Sequence, residues 1–113
     1  MKPIVIISPR FVKALSVIID IYAITLWPFI ISREEMSEDV LNHESIHIAQ
    51  QKELLLLFFY LLYGWDYLVG LIKYKDKEKA YYRIRFEQEA YENMYNQNYL
   101  SERKLYSWRK YKV

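Results

Sequence analysis

The sequence predicts an α+β fold that is mostly α-helical, with a short β-containing segment near its N-terminus. All three prolines (Pro3, Pro9 and Pro28) lie within the first 28 of 113 residues, so the rest of the chain is free to form long helices. Short β-branched runs precede that Pro-free region. The length fits one domain. We therefore expect a single domain, with β structure in residues 1–35 and helices in residues 36–113.

The N-terminal part contains two predicted strands. Ile4–Ile7 is a short β-branched run between prolines and predicts a strand. Phe11–Ile19 fits either a short helix or a β segment, and the residues leave both open. Ile24–Ile31 (ITLWPFII) predicts a second strand. Because Pro28 has no N–H to donate, that strand should lie at a sheet edge or contain a bulge.

Helices are predicted for the rest of the chain. Ser37 can cap a helix through its hydroxyl, and Glu38 and Asp39 suit the positive end of the helix dipole. Gly64 is expected to break the long helical pattern that follows. The predicted helices span residues 38–63, 65–74, 77–95 and 101–110.

Leu54–Ile72 is an apolar stretch of 19 residues that contains one charge, Asp66. Its length would just reach across a bilayer, but its charge, glycines and central Tyr and Trp residues argue against a span. We expect buried core helices, with an interfacial helix and a true span as alternatives. Asp66 should pair with a core Arg or Lys, or cap a helix. The expected location is cytoplasmic, with peripheral membrane contact left open.

Composition excludes several functions. The chain has no Cys, which rules out disulfides, thiol catalysis and cysteine-ligated metals. A net charge of +2 is too small to predict a nucleic-acid partner. The basic, aromatic segment Arg103–Lys112 could contact nucleic acid or anionic lipid, but a helix docked through its Leu, Tyr and Trp residues explains it more simply.

Both histidines of the chain lie in one pentad, His43-Glu44-Ser45-Ile46-His47, which is an H-E-x-x-H pattern. Residues i and i+4 share one side of a helix, so both imidazoles can reach one metal ion. The glutamate beside the first histidine is placed to take a proton from an activated water. An ordinary polar pair bonded to the core is the alternative. Gln50 and Gln51 share the same arc and are expected to bond core backbone or to orient a ligand.

A zinc site needs a third protein ligand, which must be a carboxylate because no other His and no Cys exist. On a helical wheel Glu87 falls within an apolar stripe, where a carboxylate needs a partner such as a metal ion or Arg83. Glu89 falls on the opposite side and is predicted to be a solvated charge. An antiparallel return of the chain could bring Glu87 back beside His47.

These residues resemble the gluzincin metallopeptidases, in which H-E-x-x-H is followed by a Glu on a later helix. Glu87-Gln88-Glu89-Ala90-Tyr91 resembles the E-x-x-A-D form of the heat-shock and prenyl-protease membrane enzymes but ends in Tyr. More narrowly, NHESIHIAQQKELL (Asn42–Leu55), ITLWPFII and RFEQEAYEN (Arg85–Asn93) are similar to small uncharacterised peptidase-like proteins of Bacteroidetes.

The resemblance implies a minimal zincin-like domain that binds Zn²⁺ through His43, His47 and Glu87, with Glu44 as the general base of peptide hydrolysis. It also implies that the ITLWPFII strand packs on the metal-binding helix and pairs with a peptide or protein substrate. Tyr91 replaces an Asp that supports a ligand histidine, so its hydroxyl is expected to do this or to stabilise an oxyanion; a core Tyr is the plainer alternative. The competing hypothesis is a non-catalytic helical domain that binds zinc, a membrane or a partner.

Overall fold

The computed structural model describes residues 3–15 and 23–113 and confirms a mostly helical α+β fold with a small N-terminal sheet. Its strands are β1 (Ile4–Ile7), β2 (Ala23–Leu26) and β3 (Phe29–Ser32). Its helices are α1 (Pro9–Leu15), α2 (Glu38–Glu53), α3 (Leu57–Tyr74), α4 (Lys77–Arg83), α5 (Arg85–Asn93) and α6 (Tyr99–Glu102), followed by a 3₁₀ turn at Ser107–Lys110. The first predicted strand and the Ser37 cap of α2 are both confirmed.

The sheet has the order β1-β3-β2, with β1 parallel and β2 antiparallel to the central strand β3. The prediction of one strand over Ile24–Ile31 is wrong, because Trp27 and Pro28 form a turn between β2 and β3. The apolar β-branched residues on both sides of the turn had made two strands look like one. The undecided segment Phe11–Ile19 is helical up to Leu15, and residues 16–19 lie outside the described chain.

The corner between α2 and α3 lies ten residues before the predicted break. α2 ends at Glu53, and Leu55 and Leu56 then take positive φ angles of 54° and 57°. α3 continues straight through Gly64, because an isolated glycine costs a helix only about 1 kcal/mol. Turn residues such as Gly or Asn normally supply positive φ, so four consecutive leucines gave no signal for this corner.

The predicted helix over residues 77–95 is divided at Ile84, whose ψ of 128° is not helical. The predicted helix over residues 101–110 is also wrong, since α6 ends at Glu102 and only a 3₁₀ turn follows. Asp66 does pair with an arginine, as expected. The guanidinium of Arg85 donates two hydrogen bonds of 2.8 Å to its carboxylate, and the Arg85 backbone N–H donates a third at the start of α5.

The main aromatic core lies between α3, α5 and the C-terminal turn, and consists of Phe59, Ile84, Phe86 and Trp108. A Cβ on Gly70 would lie 3.0 Å from Ala80, so this glycine permits the close approach of α3 and α4. Through these contacts the chain turns back after α3, and α5 comes to lie beside α2.

Within residues 3–15 and 23–113, no single helix is long and apolar enough to cross a membrane. α2 and α3 meet that length and composition only as a pair, and the pair is bent by 113°.

Candidate metal centre

The three predicted metal ligands converge at the junction of α2 and α5. His43 and His47 lie one turn apart on α2, and both side chains are buried against Glu87 of α5. The Nε2 atoms of both imidazoles lie 3.1 Å from the same oxygen, Oε1 of Glu87. The antiparallel return predicted from the sequence thus brings residues 40 positions apart into one cluster.

The chemistry and spacing of this cluster fit a small divalent cation. One ligand atom from each of the three residues lies within 4.8 Å of the other two. Zinc bonds of about 2.0–2.1 Å at tetrahedral angles separate neighbouring ligand atoms by roughly 3.3 Å, close to the spacing between each Nε2 and Oε1. Two imidazole nitrogens and one carboxylate oxygen form a known set of protein ligands for zinc. His43, His47 and Glu87 are therefore the residues that would hold the metal.

Without a metal, the cluster is organised as an ion pair. Burial by itself would lower the pKa of His47, but the facing carboxylate of Glu87 outweighs burial and raises this pKa to about 9. Burial likewise opposes ionisation of Glu87, yet the charge of His47 and the hydrogen bonds from both histidines hold its pKa well below the usual range. A metal ion would replace the proton that this pair holds.

Two further side chains orient the candidate ligands, and one of them, Tyr63, carries no signal in the sequence that predicts this role. Tyr63 of α3 donates its hydroxyl proton to Glu87 Oε2 at 2.6 Å. Burial and then the charge of Glu87 hold the pKa of Tyr63 well above its ordinary value, so the hydroxyl stays a donor at neutral pH. Gln50 Oε1 lies 2.7 Å from His47 Nδ1 and accepts its proton when Nδ1 is protonated. Such partners fix the tautomer and direction of metal ligands.

Gln50 fulfils both expectations at once, because its amide also donates to the Phe86 carbonyl at 3.1 Å and to Glu89 Oε1 at 2.9 Å. The prediction that Glu89 is a solvated charge is wrong. Glu89 is fully buried and pairs with Arg103 Nε at 2.6 Å, while Arg103 also binds Glu53. The wheel failed here because the C-terminal segment and the end of α2 cover this face of α5 and supply Arg103 and Gln50 as partners of Glu89.

Glu44 is half-buried on α2, next to the candidate ligand His43, and lines the cavity described below. The hydroxyl of Thr25 on β2 donates to Glu44 Oε2 at 2.6 Å. Burial raises the pKa of Glu44, although the nearby histidines and this hydrogen bond oppose the rise. Thr25 therefore fixes one carboxylate oxygen and leaves Oε1 without a hydrogen-bond partner among the described residues.

Strand β2 packs on α2 as the resemblance implies, but its backbone is partly occupied. The side-chain amide of Gln51 donates to the Thr25 carbonyl at 2.6 Å and accepts from the Trp27 N–H at 2.6 Å. Tyr60 also donates its hydroxyl to the Thr25 carbonyl. Gln51 thus bonds core backbone, as expected, and holds β2 against α2.

Tyr91 lies beside the cluster but does not hydrogen-bond to a ligand. Its ring packs edge-on against His43, with centroids 4.3 Å apart, and its hydroxyl lies 3.0 Å from that of Tyr81. Among the described residues, His43 Nδ1 has no hydrogen-bond partner, so Tyr91 does not act here as the support expected from the family pattern. Burial raises the pKa of Tyr91 to about 12, so its hydroxyl is neutral.

A cavity of about 1050 Å³ opens onto the cluster between β2, α2, α3 and α4. Its wall includes all three metal-ligand candidates together with Glu44, and the remainder is largely apolar and aromatic. Six other residues of the wall are tyrosines: Tyr60, Tyr63, Tyr67, Tyr81, Tyr82 and Tyr91. Much of the tyrosine excess of the C-terminal half thus surrounds this site. Arg83, the alternative partner of Glu87, instead donates to the Lys112 carbonyl.

The chain matches no family model, no curated protein and no solved structure.

Proposed function

We propose that the protein is a zinc-dependent metallopeptidase. The observation that carries this proposal is the convergence of His43, His47 and Glu87 at the wall of a cavity that also contains Glu44. Two imidazoles and one carboxylate from H-E-x-x-H and a later helix form the ligand set of zinc hydrolases, which keep one coordination position open. The resemblance to gluzincins supports a peptide as the substrate.

A zinc ion held there would lower the pKa of a water molecule and polarise the carbonyl of a bound peptide. Glu44 would take a proton from this water onto Oε1 as the water oxygen bonds to the carbonyl carbon of the peptide, while Thr25 holds the other carboxylate oxygen. The same carboxyl then gives this proton to the departing amine nitrogen as the C–N bond breaks. Tyr63 and Gln50 hold Glu87 and His47 in place.

The proposal is tested by Glu44→Gln, which keeps the size of the side chain but removes its ability to accept a proton. We expect this variant to bind about one zinc per chain and to cleave unfolded casein at least about 100-fold more slowly than the wild type, as followed by mass spectrometry. Glu38→Gln, an exposed change on the same helix, is the matched control and should keep full activity.

Hydrolysis at the wild-type rate by Glu44→Gln would rule out this mechanism. Zinc binding in the wild type without cleavage of casein or of a mixed peptide library would instead favour the non-catalytic zinc-binding hypothesis.

A further inference from the structure

The outward face of α3 is apolar, which is the reverse of a helix on the surface of a soluble protein. Six of its side chains lie within an arc of about 100° on a helical wheel, and each is at least half exposed. They are Leu57, Phe58, Leu61, Trp65, Leu68 and Ile72. We call these six residues the α3 stripe. The arc contains no charged side chain, and the Trp65 indole supplies its only hydrogen-bonding group.

The charges of α3 lie elsewhere. Asp66 points inward and is buried in its pair with Arg85, and Lys73 lies in the last turn. The expectation that Leu54–Ile72 forms buried core helices is therefore only half right, since Phe59, Asp66 and Gly70 are buried but the opposite side is exposed. Apolar patches of several hundred Å² on a protein surface usually mark a binding site.

The corner before α3 extends the same surface. Leu55 is strongly exposed, and it adopts positive φ together with Leu56. Leucine at such positions is strained, and an aqueous turn would use Gly, Asn or Asp instead. The corner therefore exposes apolar side chains at a turn, where solvent-exposed segments usually carry polar residues.

We propose that the α3 stripe and its leucine corner bind the surface of an anionic lipid bilayer, with α3 lying in the interface. Protein interfaces have a polar rim that supplies hydrogen bonds, whereas lipid acyl chains need no hydrogen-bonding partner. The α3 stripe offers almost no hydrogen-bonding groups, so it suits acyl chains better. A central Trp suits the interfacial region. Exposed cations bracket the stripe, with Lys52 before it and a segment of net charge +2 after it, since residues 73–79 contain four Lys, one Asp and one Glu. These cations complement anionic headgroups.

This inference does not depend on zinc binding or on peptide hydrolysis. It is tested by flotation of the full chain with vesicles of phosphatidylcholine alone or mixed with phosphatidylglycerol. We expect the wild type to float with the mixed vesicles, and the double variant Leu61→Glu, Leu68→Glu to lose at least about 100-fold in partitioning. Lys52→Gln and Lys77→Gln should each weaken binding to the mixed vesicles about fivefold.

The matched control is Leu105→Glu, which changes a leucine outside α3 that is more exposed than Leu61 and Leu68; this variant should float like the wild type. Circular dichroism identifies any variant that fails to fold. The tryptophan fluorescence of the wild type tests the same contact without a charge-introducing substitution. Its emission should shift to shorter wavelength when mixed vesicles are added, and this shift should be lost in Trp65→Phe.

No flotation of the wild type with mixed vesicles would overturn the proposal, as would undiminished flotation of the folded double variant. Loss of flotation in Leu105→Glu alone would move the lipid contact to the C-terminal segment. A dimer seen by sedimentation velocity and dissolved by the double variant, without vesicle binding, would assign the α3 stripe to a second copy of the chain and also overturn the proposal.

Discussion

Zinc binding should release about one proton per chain near neutral pH, because His47 and Glu87 share a proton in the metal-free protein. The ordinary pKa of histidine is about 6.5, and the carboxylate of Glu87 raises the pKa of His47 to about 9. At pH 7 about 99% of the metal-free molecules would therefore carry the proton, since each pH unit is a factor of ten. Zinc must displace this proton, which half of the molecules still carry at pH 9, so its apparent affinity should be about 50-fold weaker at pH 7 than at pH 9.

A rise in pH above neutral strengthens zinc binding but lowers the free energy of unfolding of the metal-free protein. The folded-state pKa of His47 is raised, so the ion pair stabilises the fold fully below pH 6.5 and this contribution is lost as the pH rises through about 9. Glu87 has a lowered pKa, so its contribution is present above its ordinary value of 4.5 and is lost as the pH falls below it. The metal-free protein should therefore be most stable between roughly pH 5 and 6.5.

The assay is isothermal titration of zinc at pH 7.5 in two buffers of different ionisation enthalpy, which counts the protons released. Nuclear magnetic resonance of the metal-free protein gives the pKa of the His47 ring directly. In Glu87→Gln this pKa should fall, because burial is then largely unopposed, whereas Glu38→Gln should leave it unchanged. Zinc uptake without proton release, or titration of wild-type His47 at or below pH 6.5, would refute the reasoning.

Three other substitutions test the surroundings of the cluster. Tyr63→Phe removes the hydrogen bond to Glu87 Oε2 and should weaken zinc binding about 10-fold or more in a chelator-competition titration, with the fold kept. Gln50→Leu leaves His47 Nδ1 without its acceptor and should cost about 10–100-fold in the same titration. Arg103→Met leaves two buried carboxylates unpaired and should lower the free energy of unfolding by about 3–5 kcal/mol in urea.

Two of these substitutions, Tyr63→Phe and Arg103→Met, have a matched control. Tyr67→Phe changes another tyrosine of α3 in the cavity wall and should leave zinc affinity unchanged. Arg109→Met changes an exposed arginine and should shift the unfolding free energy by less than about 0.5 kcal/mol. Equal zinc affinities for Tyr63→Phe and Tyr67→Phe, or equal stabilities of the two arginine variants, would contradict the assigned roles.

The convergence of His43, His47 and Glu87 could be predicted from the sequence because the signals for it are local. The i, i+4 spacing of His43 and His47 fixes their common side of α2, and the apolar neighbours of Glu87 place that carboxylate inside. The mostly helical fold followed from the absence of proline after Pro28 in the same local way.

What the sequence did not reveal depends on packing between distant segments. Tyr63, Thr25 and Arg103 carry no pattern that links them to the cluster, since their partners lie on other elements. The leucine corner at Leu55 had no turn residue to mark it, and a helical wheel drawn through Ile84 could not include the break there. An exposed apolar arc on α3 also looks the same in sequence as a buried one.

The most direct test of the zinc-site assignment is the metal content of protein purified without added zinc, measured by inductively coupled plasma mass spectrometry. We predict about one zinc per chain in the wild type and in Glu44→Gln, and less than about a tenth in His43→Ala, His47→Ala and Glu87→Ala variants that remain folded. A wild type without stoichiometric metal that also fails to take up added zinc would contradict the account, as would full zinc content in any of the three alanine variants.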